Sequence, residues 1–181
     1  MIARRDVLIG GAALAALGVG FRKMTSEATA DSTEAGRTMT TAATTADNEF
    51  TRITDAEWKK RLTADQYYVL RKHGTERAGS SPLNAEKRKG TFACAGCAQP
   101  LFSSDTRFES GTGWPSFYKP LPDAVGTKQD RAFFMTRTEV HCDRCLGHLG
   151  HVFEDGPPPT GLRYCMNGVA MTFAPAEGGN S

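Results

Sequence analysis

Thr91-Phe92-Ala93-Cys94-Ala95-Gly96-Cys97 is the stretch on which the fold turns. Its first half is β-prone, and its second half is a C-x-x-C turn. The pattern recurs at Cys142-Asp143-Arg144-Cys145, after the β-rich run from Ala132 to Val140. Each pair lies at the end of an expected strand, where a tight turn can aim two sulfurs at one point. Four thiolates from two such turns suit a tetrahedral zinc site with no open position, so the ion would be structural. Two alternatives stay open at this level: a pair of disulfides, natural in an exported protein, and redox-active C-x-x-C pairs.

Outward from these turns, further β-rich runs cover Leu162 to Met166 and Val169 to Phe173, separated by turn residues. On the N-terminal side the texture is helical. Thr54-Asp55-Ala56-Glu57 has the capping-box pattern, with Trp58 and Leu62 on one face after it. Ala64 to His73 reads as a second helix, with Tyr67, Leu70 and Arg71 at helical spacing and Gly74 as its stop. The expected class is therefore mainly β within α+β: two or three short N-terminal helices, then an antiparallel β domain. Glu86-Lys87-Arg88-Lys89 reads as a solvated turn, His73 as a helix C-terminal residue, and His141 as a solvated strand residue.

The first thirty residues have a different character. Arg4-Arg5-Asp6-Val7-Leu8-Ile9 resembles a twin-arginine export motif, followed by a Gly- and Ala-rich apolar run to Phe21. Ala28-Thr29-Ala30 offers a small-x-small cleavage site, with an uncleaved anchor as the alternative. The expected organisation is a signal over 1–30, a disordered Thr- and Ala-rich linker over 31–48, one domain over 49–176 and a tail over 177–181. The expected destination is the periplasm, with membrane contact confined to the signal. Residues 1–30 carry Arg4, Arg5, Arg22 and Lys23 against Asp6 and Glu27. Without them the 22 basic and 20 acidic residues fall to 18 of each, net zero. A neutral domain lacks the basic face that nucleic-acid binding requires.

The fifth cysteine stands apart. Cys165, in Arg163-Tyr164-Cys165-Met166-Asn167, follows His148-Leu149-Gly150-His151-Val152-Phe153 across the turn Gly156-Pro157-Pro158-Pro159-Thr160-Gly161. A lone thiol beside imidazoles and a guanidinium is a candidate nucleophile, because the thiolate is the attacking species and a nearby cation favours it. A buried, inert cysteine among core histidines is the competing reading.

Taken together, His73-Gly74-Thr75-Glu76-Arg77, the two C-x-x-C pairs, Ser110-Gly111-Thr112-Gly113-Trp114-Pro115-Ser116-Phe117, Arg137-Thr138-Glu139-Val140, the His148–Phe153 run, Asp155-Gly156-Pro157 and Gly161-Leu162-Arg163-Tyr164-Cys165-Met166-Asn167 resemble the B-type methionine sulfoxide reductases. That family acts on the R epimer. The resemblance runs from about Phe50 to Phe173. It implies two packed antiparallel sheets, with a Cys94, Cys97, Cys142 and Cys145 zinc site on the side away from the active site. It implies Cys165 as nucleophile and His151 as acid, assisted by His148 and the Asn167 amide. Arg163 would favour the thiolate or orient Asp155, and Trp114 and Phe153 would wall the substrate methyl. Oxidised peptides or proteins are the implied substrates, a thioredoxin-like or other thiol the implied reductant, and a monomer the default. Many relatives carry a resolving cysteine in the glycine loop before the tryptophan, where this chain has Ser110-Gly111-Thr112-Gly113 and no thiol. A zinc-ribbon binder and a general thiol–disulfide oxidoreductase are the alternatives in other functional classes.

Overall fold

Helix α1 (Asp55–Arg61) starts where the Thr54 side chain accepts from the Glu57 amide. In the computed structural model, which describes residues 48–132 and 135–176, the reciprocal capping box belongs to helix α2 (Ala64–Lys72). There Thr63 and Gln66 satisfy each other's backbone amides. That helix ends at His73, which takes the left-handed conformation at φ 55°, so the expected glycine stop lies one residue too late. Both helices turn one apolar face inward: Trp58, Leu62, Val69 and Leu70 are buried.

Nine strands follow among the described residues, in two antiparallel sheets. The smaller sheet has the order β2-β1-β9, from β1 (Gly90–Cys94), β2 (Pro100–Ser103) and β9 (Met171–Pro175). The larger adds β3 (Arg107–Phe108), β4 (Ser116–Phe117), β5 (Val125–Ala132), β6 (Met135–Cys142), β7 (His148–Phe153) and β8 (Arg163–Met166), in the order β3-β4-β8-β7-β6-β5. The mainly β class with two short helices and two antiparallel sheets is the one expected. Two boundaries differ. The run from Ala132 to Val140 is not one strand, because Ala132 closes β5 and β6 begins at Met135. Residues 168–170 form a 3₁₀ turn before β9.

The core lies between the sheets. Phe102 of β2 stacks on Phe117 of β4 at 4.3 Å and 15°. Phe92 of β1 meets the same ring edge-on at 4.9 Å, and all three are fully buried. Alternation then sends the neighbours of Phe117, Tyr164 and Val152 to the opposite face of the large sheet. Among the described residues, no helix is long and apolar enough to cross a membrane.

Candidate active site and metal centre

Register builds one row of side chains across the outer face of the large sheet. Lys128 pairs with Glu139, Glu139 with His151, His151 with Cys165, and Cys165 with Ser116. Two residues along, Asp130 pairs with Arg137 and Phe153 with Arg163. The nucleophile candidate and the acid candidate are thus direct cross-strand partners, although 14 positions separate them in the chain. Gly150 keeps this pairing tight, since a Cβ there would lie 2.1 Å from the Cys165 carbonyl oxygen.

His148 reaches the same face by an irregularity. Strict alternation would put His148 and His151, three residues apart, on opposite faces of β7. The register shifts between Val140 and His141, so that His141 opposes His148. A shift of this kind re-aims side chains. His148 Nδ1 lies 2.8 Å from Glu139 Oε1, and its ring is 5.4 Å from that of His151. Burial lowers the pKa of His148, and the Glu139 carboxylate only partly offsets this. Burial also pushes Glu139 up, but hydrogen bonds from His148 and Lys128 outweigh it and leave its carboxyl below the usual range.

A cavity of about 140 Å³ is lined by Cys165, His151, Trp114, Phe153, Asn167, Arg137, Thr75 and Gly150. The Trp114 indole N–H donates to the Glu76 carbonyl at 3.3 Å, which holds the ring as a wall. Burial pushes the Cys165 thiol up, against smaller lowering effects from the Thr112 hydroxyl and the Arg163 charge. Thr112 Oγ1 stands 3.9 Å from the sulfur, and the hydroxyls of Ser110 and Ser116 continue that chain. Arg163 grips Asp155 through two bonds of 2.8 Å and covers the Phe153 ring at 4.5 Å. Asp155 is otherwise exposed, and the pair braces one side of the cavity.

The Asn167 amide is committed to backbone. Its Nδ2 donates to the Leu149 carbonyl at 2.9 Å, and its Oδ1 accepts from the Glu76 amide at 3.0 Å. It ties the segment after Cys165 to β7 and to the Thr75-Glu76 loop. Sequence reasoning assigned no role to Thr75, Glu76, Asp130, Arg137 or Glu139. The signal for four of them was present, since Thr75, Glu76, Arg137 and Glu139 sit in recognised motifs, whereas Asp130 sits in none. His141 corrects its reading as a solvated residue: it is half-buried, its Nδ1 has no partner among the described residues, and burial lowers its pKa.

The four paired cysteines form the second centre. Cys94 and Cys97 flank the turn after β1, and Cys142 and Cys145 the turn after β6, so the quartet joins the two sheets. All four are buried, and their sulfurs lie within 4.8 Å of one another. Cys94 and Cys145 are 3.7 Å apart, and Cys97 and Cys142 are 3.5 Å apart. Those separations exceed a disulfide bond of roughly 2.05 Å. They match the edge of about 3.8 Å that four Zn–S bonds of about 2.3 Å generate in a tetrahedron. Hydrogen bonding among the sulfurs holds Cys97 and Cys142 toward the thiolate while raising Cys94 and Cys145. Arg71 donates to the Cys145 carbonyl at 2.9 Å and Arg144 to the Cys97 carbonyl at 3.3 Å, which fixes the turns from outside. The arrangement can bind one metal ion through four sulfurs.

Comparison with known proteins places these features in company. A family described as the SelR domain matches residues 62–175. The chain is 59% identical over 126 residues to a protein of Methanosarcina barkeri named "Peptide methionine sulfoxide reductase MsrB", covering 69% of this chain and 89% of that one. It is 54% identical over 122 residues to the protein of the same name from Agrobacterium fabrum, covering 67% and 90%. A third of that name, from Leptospira interrogans, is 56% identical over 120 residues, covering 66% and 92%.

Proposed function

This chain belongs to the SelR-domain family, and from that premise we propose that it is a peptide methionine sulfoxide reductase that takes the R epimer. The observation that carries the reading is the placement of Cys165 beside His151 at the floor of a small cavity walled by Trp114 and Phe153. A zinc-ribbon binder has no use for that cavity. A general disulfide oxidoreductase has no use for an indole wall next to a single thiol.

The Cys165 sulfur attacks the sulfoxide sulfur while a proton is delivered to the sulfoxide oxygen. The S=O bond breaks and the oxygen ends on Cys165 as a sulfenic acid. The sulfoxide sulfur gains two electrons and leaves as the thioether, and Cys165 loses two. The thiol proton ends on the transferred oxygen, with His151 as its carrier. Burial holds the resting thiol up, and the Thr112 hydroxyl and the Arg163 charge act against this. Trp114 and Phe153 receive the apolar methyl, and the Arg163–Asp155 pair stiffens the wall behind Phe153. The metal held by Cys94, Cys97, Cys142 and Cys145 is zinc in a structural role, since four sulfurs leave no open position.

Regeneration needs an external thiol, such as a thioredoxin-like protein. The four metal-binding sulfurs are engaged, and Thr112 stands where an internal resolving thiol would have to act. Residues 1–30 lie outside the described residues. Their Arg4-Arg5 motif supports export by the twin-arginine route, a path for proteins that fold, and acquire metal, before translocation. The test is turnover of each sulfoxide epimer in a peptide with dithiothreitol. Reduction of the R epimer alone, lost in Cys165→Ser, supports the reading. Equal use of both epimers, or activity surviving in the serine variant, refutes it.

A further inference from the structure

The acid candidate has a partner of its own. His151 Nε2 lies 2.9 Å from Asp130 Oδ2. The same oxygen accepts from Arg137 at 2.8 Å. Asp130 comes from β5, two strands away from β7, and its register partner on β6 is Arg137. The carboxylate therefore reaches across β6, held on its far side by a guanidinium that also lines the catalytic cavity. His151 is nearly buried, while Asp130 and Arg137 are about one-third exposed.

We propose that Asp130 is a positioning residue for methionine sulfoxide reduction: with Arg137 it fixes the His151 ring through Nε2 and leaves Nδ1 to serve the sulfoxide oxygen. This rests on the reading that Cys165 and His151 carry the chemistry. The logic is that of any nucleophile–base pair whose base is oriented by a third group. An imidazole tied to a carboxylate that a guanidinium holds in turn is kept in place when substrate enters.

The surrounding charges are matched in pairs, which isolates the effect. Lys128 is held by Glu139 at 3.1 Å, and Arg163 by Asp155 at 2.8 Å. His148 and His73 both direct Nδ1 to Glu139 Oε1. Cys165 faces His151 from β8. Among the described residues, Asp130 is the one carboxylate in direct contact with His151. The hydrogen bond from His151 holds the Asp130 carboxyl below the usual carboxylate range, with Arg137 adding to the effect.

In the proton-transfer step, the thiol proton of Cys165 passes to His151 and then to the sulfoxide oxygen. Asp130 keeps its own charge and takes no proton. Its removal should slow proton delivery and leave substrate affinity nearly unchanged, because the methyl-binding wall is elsewhere.

The test uses the full-length, metal-loaded protein. In single turnover of an R-sulfoxide peptide, Asp130→Asn should slow sulfenic acid formation by about 10- to 100-fold, with KM within about threefold. Asp130→Glu should recover part of the rate. The double variant Asp130→Asn with His151→Ala should be no slower than His151→Ala alone, which a general loss of stability would not produce. Fully additive losses in that cycle, or a KM raised as much as the rate is lowered, would overturn the proposal. Absence of sulfoxide reduction in the unmodified protein would instead remove the activity itself.

Discussion

Replacing Cys142 with serine removes one sulfur from the quartet that joins the two sheets. The side chain is fully buried and its sulfur lies 3.5 Å from that of Cys97. Serine nearly conserves the volume, so the loss falls on metal binding and not on packing. Structural zinc of this type binds with an apparent free energy of about 10–16 kcal/mol. One ligand in four is then worth at least about 3–4 kcal/mol, before counting three thiolates left buried around a weaker site. Whole domains are stable by only about 5–15 kcal/mol. For a domain of this size, about 4 °C per kcal/mol gives a Tm lower by about 12–16 °C. Calorimetry of the anaerobically purified variant, with metal content measured on the same sample, checks this. A Cys142→Ser protein that keeps one tightly bound zinc and melts within about 3 °C of the parent would refute the reasoning. Cys165→Ser is the internal control, since its thiol belongs to the other centre and should leave both quantities unchanged.

Other outcomes follow from the same geometry. His151→Ala should slow single-turnover sulfoxide reduction by about 10²–10⁴-fold, read by stopped flow, while zinc stays bound. One turnover of the unmodified protein should leave a sulfenic acid on Cys165, trapped by a dimedone-type reagent and counted by mass spectrometry, with no new disulfide. Thr112→Cys puts a thiol where a hydroxyl now stands 3.9 Å from the Cys165 sulfur, between Gly111 and Gly113, both at positive φ. That variant should convert the sulfenic acid to an internal disulfide, and a persistent dimedone adduct would count against it. Stability should fall with acid in two stages. His148, lowered by burial, binds its proton first in the unfolded chain, so stability declines once pH drops below about 6.5. Glu139 is depressed in the fold, so its contribution is present above about pH 4.3 and is lost as pH falls through the lower folded value. Urea titrations at stepped pH check both. Arg4→Lys with Arg5→Lys should leave a folded, active precursor in the cytoplasm, read by fractionation, and unchanged export would sink the twin-arginine reading.

The metal centre was legible because C-x-x-C is a local signal: two sulfurs are aimed by one turn, and the second turn repeats the first. The Cys165–His151 pairing was legible as a cluster, but its cause, direct cross-strand register, is not written in local sequence. His148 shows the limit clearly. Its spacing from His151 puts the two on opposite faces of a regular strand, and only the irregularity beside His141 brings them together. Strand β5 was invisible because Val125–Ala132 is mostly polar and pairs with β6 alone, so it carries no alternating apolar signature. Asp130 was lost with it. The helix stop was misplaced by one residue because glycine is the usual left-handed cap, whereas here His73 takes that conformation with its ring directed to Glu139.

The row Lys128, Glu139, His151, Cys165 and Ser116 crosses five strands, with one residue from each. Its members are therefore aligned by counting along the strands as much as by chemistry. Deleting a single residue inside β6, β7 or β8 would send the remainder of that strand to the opposite face. Such a chain would retain every named catalytic side chain and still be inert. The Pro-rich turn before β8 lies off the row, so a change of length there leaves the alignment intact.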